Sequence, residues 1–184
     1  LVRTINEAKL EIVGTEHAST GVLPDGATVS GVVDLLLRDR DGTPVIVDLK
    51  WTYRAKTYRD RLRDGTSTQL AGYAHMHAGD GAYPDAAYFM LKQGTLFAAS
   101  DRTFGDAAVG APDLEEVWRG IAAQHRVGIE MLASGRVVAP WIPEDPPDDG
   151  TITIAAGGRA SDDAAPCRFC EYTTLCCRET EAKR

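Results

Sequence analysis

No cysteine occurs in the first 166 residues of this 184-residue chain; all four lie between Cys167 and Cys177. Bridges crowded into so short a stretch make a poor disulfide framework, and the chain shows no secretory feature, so a cytoplasmic setting is expected. Long apolar runs are also missing. None approaches the roughly 18 residues that a membrane-spanning helix needs. The opening "LVRTINEAKL" has neither an initiator Met nor the apolar core of a signal peptide, and the chain is expected to be a piece of a longer polypeptide. Excess positive charge is lacking too: the formal net charge is −7, which taken alone argues against a nucleic-acid partner. What remains is 43% hydrophobic and 26% charged, the balance of a soluble globular protein. The length suits one domain that buries about two-thirds of its unfolded surface.

The positive charge that exists is concentrated. Residues 51–63, "WTYRAKTYRDRLR", hold Arg54, Lys56, Arg59, Arg61 and Arg63 against the single Asp60, a net of +4 that leaves −11 elsewhere. A basic run is by default one solvated face of a helix. This one directly follows an unusual strand, and Trp51, Tyr53 and Tyr58 within it offer rings for base stacking.

Residues 8–20 are expected to be extended, after a short helix, and 28–37 ("TVSGVVDLLL") to be a second strand. "RDRDG" (38–42) carries an Asp-Gly hairpin signal, and "TPVIVDLKW" follows as the third strand. Folding that hairpin about Asp41 sets Asp34 opposite Asp48. Residues 67–77 predict a helix with Gln69 and Tyr73 on one face. Residues 85–100 predict two strands around Gln93-Gly94. Asp113 should cap a helix reaching Ser134, with Leu114, Val117, Trp118, Ile121, Ile129 and Leu132 on its buried side. The organisation expected is a core over 1–139, a linker rich in Pro, Asp, Gly and Ala over 140–166, and a cysteine-bearing tail over 167–184 that packs back on the core.

Side chains alternate along a strand, so Asp48 and Lys50 share a face while Leu49 points into the core and keeps its carbonyl available. Alone, an Asp-x-Lys triplet is most simply a surface ion pair at a strand end. With Asp34 mirrored across the hairpin, Glu16 on the preceding strand and Gln69/Tyr73 on the next helix, a divalent-cation site is the better account. Mg²⁺ or Mn²⁺ takes oxygen ligands, for which Glu16, Asp34, Asp48 and the Leu49 carbonyl are the candidates. Lys50 would then stand beside the attacking water.

"GVVD", then "VIVDLK", then "QLAGY" resembles the ordered motifs of RecB-like nucleases in the PD-(D/E)XK superfamily. The resemblance implies an α/β, restriction-endonuclease-like core, a central mixed sheet flanked by helices, and metal-dependent hydrolysis of DNA. It makes Asp34 and Asp48 metal ligands, Lys50 the catalytic lysine, Glu16 an additional acid, and Gln69 and Tyr73 the pair that holds the DNA strand. Val33 stands where the superfamily name has Pro. A histidine found upstream in many relatives is expected either to precede Leu1 or to be lacking in this protein, and His17 is assigned to structure. The function implied is exonucleolytic attack on single-stranded DNA ends in repair, recombination or anti-phage defence, with a helicase domain or subunit as partner and no membrane. The alternative is a non-catalytic DNA-binding scaffold of the same fold.

The spacing C-x2-C-x5-C, with Cys177 extra, suits a soft metal or an iron–sulfur cluster better than zinc, which would commonly use a second C-x2-C or a His pair. It is similar to the C-terminal triad of iron–sulfur nucleases, among them AddB-type subunits and CRISPR-adaptation exonucleases. That likeness implies a [4Fe–4S] cluster on Cys167, Cys170 and Cys176, with its fourth ligand outside this chain or, failing that, Cys177. Zinc or unliganded thiols are the alternatives.

Overall fold

The computed structural model describes residues 1–23, 25–79 and 83–135. Helix α1 (Val2–Glu7) precedes three strands, β1 (Glu11–Val22), β2 (Thr28–Arg38) and β3 (Pro44–Lys50). Helices α2 (Ala55–Arg63) and α3 (Thr68–Met76) follow, then β4 (Asp85–Met90), β5 (Thr95–Ala98), α4 (Asp101–Phe104), a single turn at Gly105–Ala107 and α5 (Leu114–Ala133). The chain divides into two compact units, Leu1–Arg126 and Val127–Arg184, the second described only to Gly135. The expected linker and the tail with Cys167, Cys170, Cys176 and Cys177 lie outside the described residues. Among the described residues no helix is long and apolar enough to cross a membrane.

The five strands stand in the order β1-β2-β3-β4-β5. All neighbours are antiparallel except β3 and β4, which run parallel. A parallel return needs a crossover rather than a tight turn, and α2 with α3 supplies it. The mixed sheet with flanking helices is therefore as the sequence predicts. The β2–β3 turn is longer than a two-residue Asp-Gly loop. Asp39 holds it, its Oδ1 accepting the N–H groups of Asp41 (3.0 Å) and Thr43 (2.8 Å), while Gly42 takes the φ of +85° that closes it. The ladder pairs Arg38 with Pro44 and Leu35 with Val47 and ends there, one step short of Asp34 and Asp48.

Alternation sorts the sheet into two apolar layers. Ile46, Ala86, Tyr88 and Met90 meet Leu62 of α2, Leu70 of α3 and Trp118 of α5 on one side. Val45, Val47, Ala87 and Phe89 meet Ile5 and Phe104 on the other. Each fully buried leucine or isoleucine contributes roughly 1.5–3 kcal/mol. Helix α3 lies close because the facing strands are cut away: a Cβ at Gly31 would stand 2.7 Å from Tyr73 Cε1, and one at Gly21 would stand 3.3 Å from Met76 Cγ. In α5, Asp113 Oδ1 accepts the Glu115 N–H at 2.7 Å, the cap expected of it, and Leu114 and Trp118 are buried. Ile129 and Leu132 are not; at 44% and 59% exposure they correct the expectation of a buried stripe along the whole helix.

Candidate active site

Because Ile46 faces α3, period-two alternation places Asp48 and Lys50 on that same face. Asp48 is 1% exposed. Lys50 Nζ lies 2.6 Å from Asp48 Oδ2 and donates to Gln69 Oε1 at 2.9 Å; Gln69 Nε2 in turn donates to Tyr73 Oη at 3.2 Å. Four of the residues singled out in the sequence thus form one continuous polar chain from the sheet to α3. Lys50 Nζ also stands 5.7 Å from the ring centroids of both Tyr58 and Tyr88. Those rings meet edge to face at 5.0 Å, and Tyr88 Oη shares a 2.7 Å hydrogen bond with Ser67 Oγ. Tyr88 and Ser67 escaped the sequence reading. Tyr58, expected to stack on bases, is half-buried and walls the lysine instead.

Across the hairpin, Asp34 Oδ2 accepts the Leu49 N–H at 2.7 Å. A residue's N–H and C=O point to the same edge of a strand, so the Leu49 carbonyl faces the Asp34 side as well. The Lys50 carbonyl points the other way and accepts the Leu91 N–H at 3.0 Å. Strand β2 changes phase here: Gly31 and Val33 face α3, whereas Leu35 and Leu37 face the opposite layer. The distortion has a counterpart on β1. Pairings Thr15–Leu35 and His17–Val33 put Glu16 across from Asp34, but Glu16 has a φ of +48° and an exposed side chain.

Among the described residues no three Asp, Glu, His or Cys side chains gather into a metal-holding group. Asp34 and Asp48 stand near each other, Asp34 holding the Leu49 N–H, whereas Glu16 is exposed on a left-handed backbone that interrupts the alternation of β1. A non-glycine residue there carries strain. Glu16→Gly is expected to stabilise the fold by about 1 kcal/mol in urea unfolding. A less stable variant would show that the carboxylate makes a contact outweighing the strain.

Burial pushes the Asp48 carboxyl above the usual range; the Lys50 ammonium pulls it back, and the neighbouring Asp34 charge adds to the rise. Lys50 Nζ, at 2.6 Å, is the cation that meets the buried Asp48 Oδ2. Burial, with a smaller push from Asp48, also drives the Tyr88 phenol up to about 12, so its hydroxyl stays protonated. A buried carboxylate with a second carboxylate near enough to raise it, and a carbonyl beside them, are oxygen donors of the kind a hard divalent cation takes, one or two carboxylates with water completing the shell.

Part of the basic stretch is engaged by its own acid. Asp60 sits among Lys56, Arg59 and Arg63, with Arg59 at 3.6 Å and Arg63 at 3.5 Å; Arg63 also pairs with Asp64. Arg54 and Arg61 make no ion pair among the described residues, and Arg61 lies 5.7 Å from the Tyr58 ring. His17 packs 5.7 Å from the His77 ring, whose Nε2 meets the buried Ser19 hydroxyl at 2.7 Å. A cavity of about 260 Å³ bounded by Asp85, Arg102 and Pro112 lies at the other end of β3–β4, where Asp85 pairs with Val45. The acidic site is separate from that cavity.

A mixed sheet that ends one strand in a carboxylate and a lysine, with a second carboxylate across the hairpin, is the framework of a metal-dependent nuclease. Residues 2–177 match the family described as the PD-(D/E)XK nuclease superfamily, and the chain belongs to it. No curated protein matches the sequence. Nucleases of this superfamily typically use Mg²⁺ or Mn²⁺.

Proposed function

We propose that the protein is a RecB-like, Mg²⁺- or Mn²⁺-dependent deoxyribonuclease that hydrolyses phosphodiester bonds at single-stranded ends. The observation that carries this reading is the buried Asp48, its carboxyl raised by burial and by the Asp34 charge and met by Lys50 at 2.6 Å. Asp34, Asp48 and the Leu49 carbonyl would hold the cation, which supplies charge neutralisation at the phosphate and a more acidic water. Lys50, fixed between Asp48 and Gln69, orients the attacking water and offsets the negative charge that grows on the phosphoryl oxygens. The water oxygen bonds to phosphorus as its proton passes to solvent, the bond to the leaving sugar oxygen breaks, and that oxygen takes a proton from solvent to leave as a hydroxyl. Gln69 and Tyr73 hold the strand's phosphate, with Arg54 and Arg61 as its first electrostatic contacts and Lys56, Arg59 and Arg63 contributing less because Asp60 engages them.

The spacing of Cys167, Cys170 and Cys176 supports a [4Fe–4S] cluster as a clamp on the tail, measurable by iron content and visible absorption. A helicase partner and a role in repair or defence extend the same reading. In the direct test, a labelled single strand is incubated with the protein and Mg²⁺ or Mn²⁺. Degradation that EDTA abolishes, and that weakens steeply with salt, is expected. Cleavage indifferent to EDTA, or none with either metal, overturns the proposal.

A further inference from the structure

Immediately beyond Lys50 the chain leaves the sheet and exposes two large rings, Trp51 at 73% and Tyr53 at 79%. Neither enters either apolar layer. They are nonetheless organised. The Leu91 N–H bond to the Lys50 carbonyl ties the β4–β5 turn to the end of β3. From that turn Lys92 reaches back, its Nζ 3.6 Å from the Tyr53 ring centroid and 5.2 Å from that of Trp51. The result is one ammonium joining two exposed rings, on the segment that continues the strand of Asp48 and Lys50.

We propose that Trp51, Tyr53 and Lys92 form a stacking platform for unpaired nucleotides next to the scissile phosphate, and that this platform selects single-stranded over duplex nucleic acid. The proposal rests on the hydrolase reading of the neighbouring site. Ring faces recognise base faces, and a base in a duplex already has both faces covered by its neighbours, whereas an unpaired base can stack. Lys92 covers part of one face of Tyr53, which at 79% exposure keeps most of its surface open, and its ammonium stands beside the rings as a contact for the phosphates of a stacked strand. A sequence-tolerant contact of this kind suits an enzyme that must process any sequence, because every base has such a face. A protein partner could also cover two rings, but it would not call for a cation placed on them beside a phosphate-processing site.

Binding is measured by fluorescence anisotropy in an Asp48→Asn background, so that no strand is cut. The ligands are a short oligothymidine, an abasic strand with the same number of phosphates, and a duplex of equal length. Trp51→Ala and Tyr53→Ala should each weaken oligothymidine binding about 10-fold or more. The abasic strand and the duplex should bind the variants nearly as they bind the parent, and Trp51→Phe should keep most of the affinity. Thermal unfolding midpoints, unchanged for exposed positions, confirm that each variant is folded. Unaltered oligothymidine affinity in both alanine variants overturns the platform, as does an equal loss on the abasic strand or the duplex. Metal-dependent cleavage by the unsubstituted protein, measured alongside, separates the two readings. If it cuts while the alanine variants bind normally, the platform alone falls. If it cuts nothing yet the variants lose binding, the hydrolase reading falls and the platform stands.

Discussion

Lys50→Ala is expected to slow phosphodiester hydrolysis by on the order of 10²–10³-fold under single-turnover conditions. The side chain is 18% exposed, touches Asp48 and Gln69, and is walled by Tyr58 and Tyr88, so its ammonium is aimed before substrate arrives. Such preorganised charge is what loses most when removed, because no solvent rearrangement replaces it at the moment of reaction. A second consequence is readable in the pH profile. Lys50 is the influence that lowers the Asp48 carboxyl against burial and the Asp34 charge. Without it the carboxyl titrates higher still, and the acid limb of the rate profile should move to higher pH. Lys50→Arg separates the two duties of the lysine. A guanidinium restores positive charge but cannot give up a proton in this range, so partial recovery would assign the effect to charge and no recovery to proton handling or geometry. An alanine variant that cleaves at the parent rate removes Lys50 from the mechanism.

The parts of this site that follow from local rules were legible in the sequence. Period two puts Asp48 and Lys50 on one face, and counting back from the turn points Asp34 toward Asp48; the ladder keeps the counted register as far as Leu35–Val47, although its turn is closed by Asp39. The spacing of four between Gln69 and Tyr73 put them on a shared face, now seen as a hydrogen bond. Tyr88 was not legible, because it reaches Asp48 only through the parallel pairing of β3 and β4, forty residues apart in sequence, and no local pattern states which strands become neighbours. The exposure of Glu16 was not legible either, because alternation assumes an unbroken strand, and its positive φ together with the phase change at β2 breaks it. The engagement of Lys56 and Arg63 by Asp60 could have been read, since i,i+3 and i,i+4 partners face each other on any helix. Counting charge over the stretch hid it.

Asp48→Asn should abolish cleavage and, at neutral pH, make the protein more stable. The native carboxyl of Asp48 titrates above its ordinary value of 3.8, chiefly because burial disfavours the charged form. Between that ordinary value and the raised native one, the folded protein holds a proton that the unfolded chain has released. Stability of the parent therefore falls as pH climbs through this window and stays lower above it. Asparagine has no charge to desolvate and should not show this fall. The variant's advantage is expected to be small below pH 3.8, to grow across the window and to level off at neutral pH, as followed by urea unfolding at a series of pH values. A variant less stable than the parent at neutral pH would mean that the Lys50 ion pair outweighs the burial of the carboxylate, and would overturn the prediction. The divalent cation provides the complementary check. A ligand that binds only the folded state raises stability with its concentration, so Mg²⁺ or Mn²⁺ should raise the unfolding midpoint of the parent and narrow the gap to Asp48→Asn, which has lost a charged ligand. The buried carboxylate is then a cost carried by the cation-free fold and relieved when the charge it was kept for arrives.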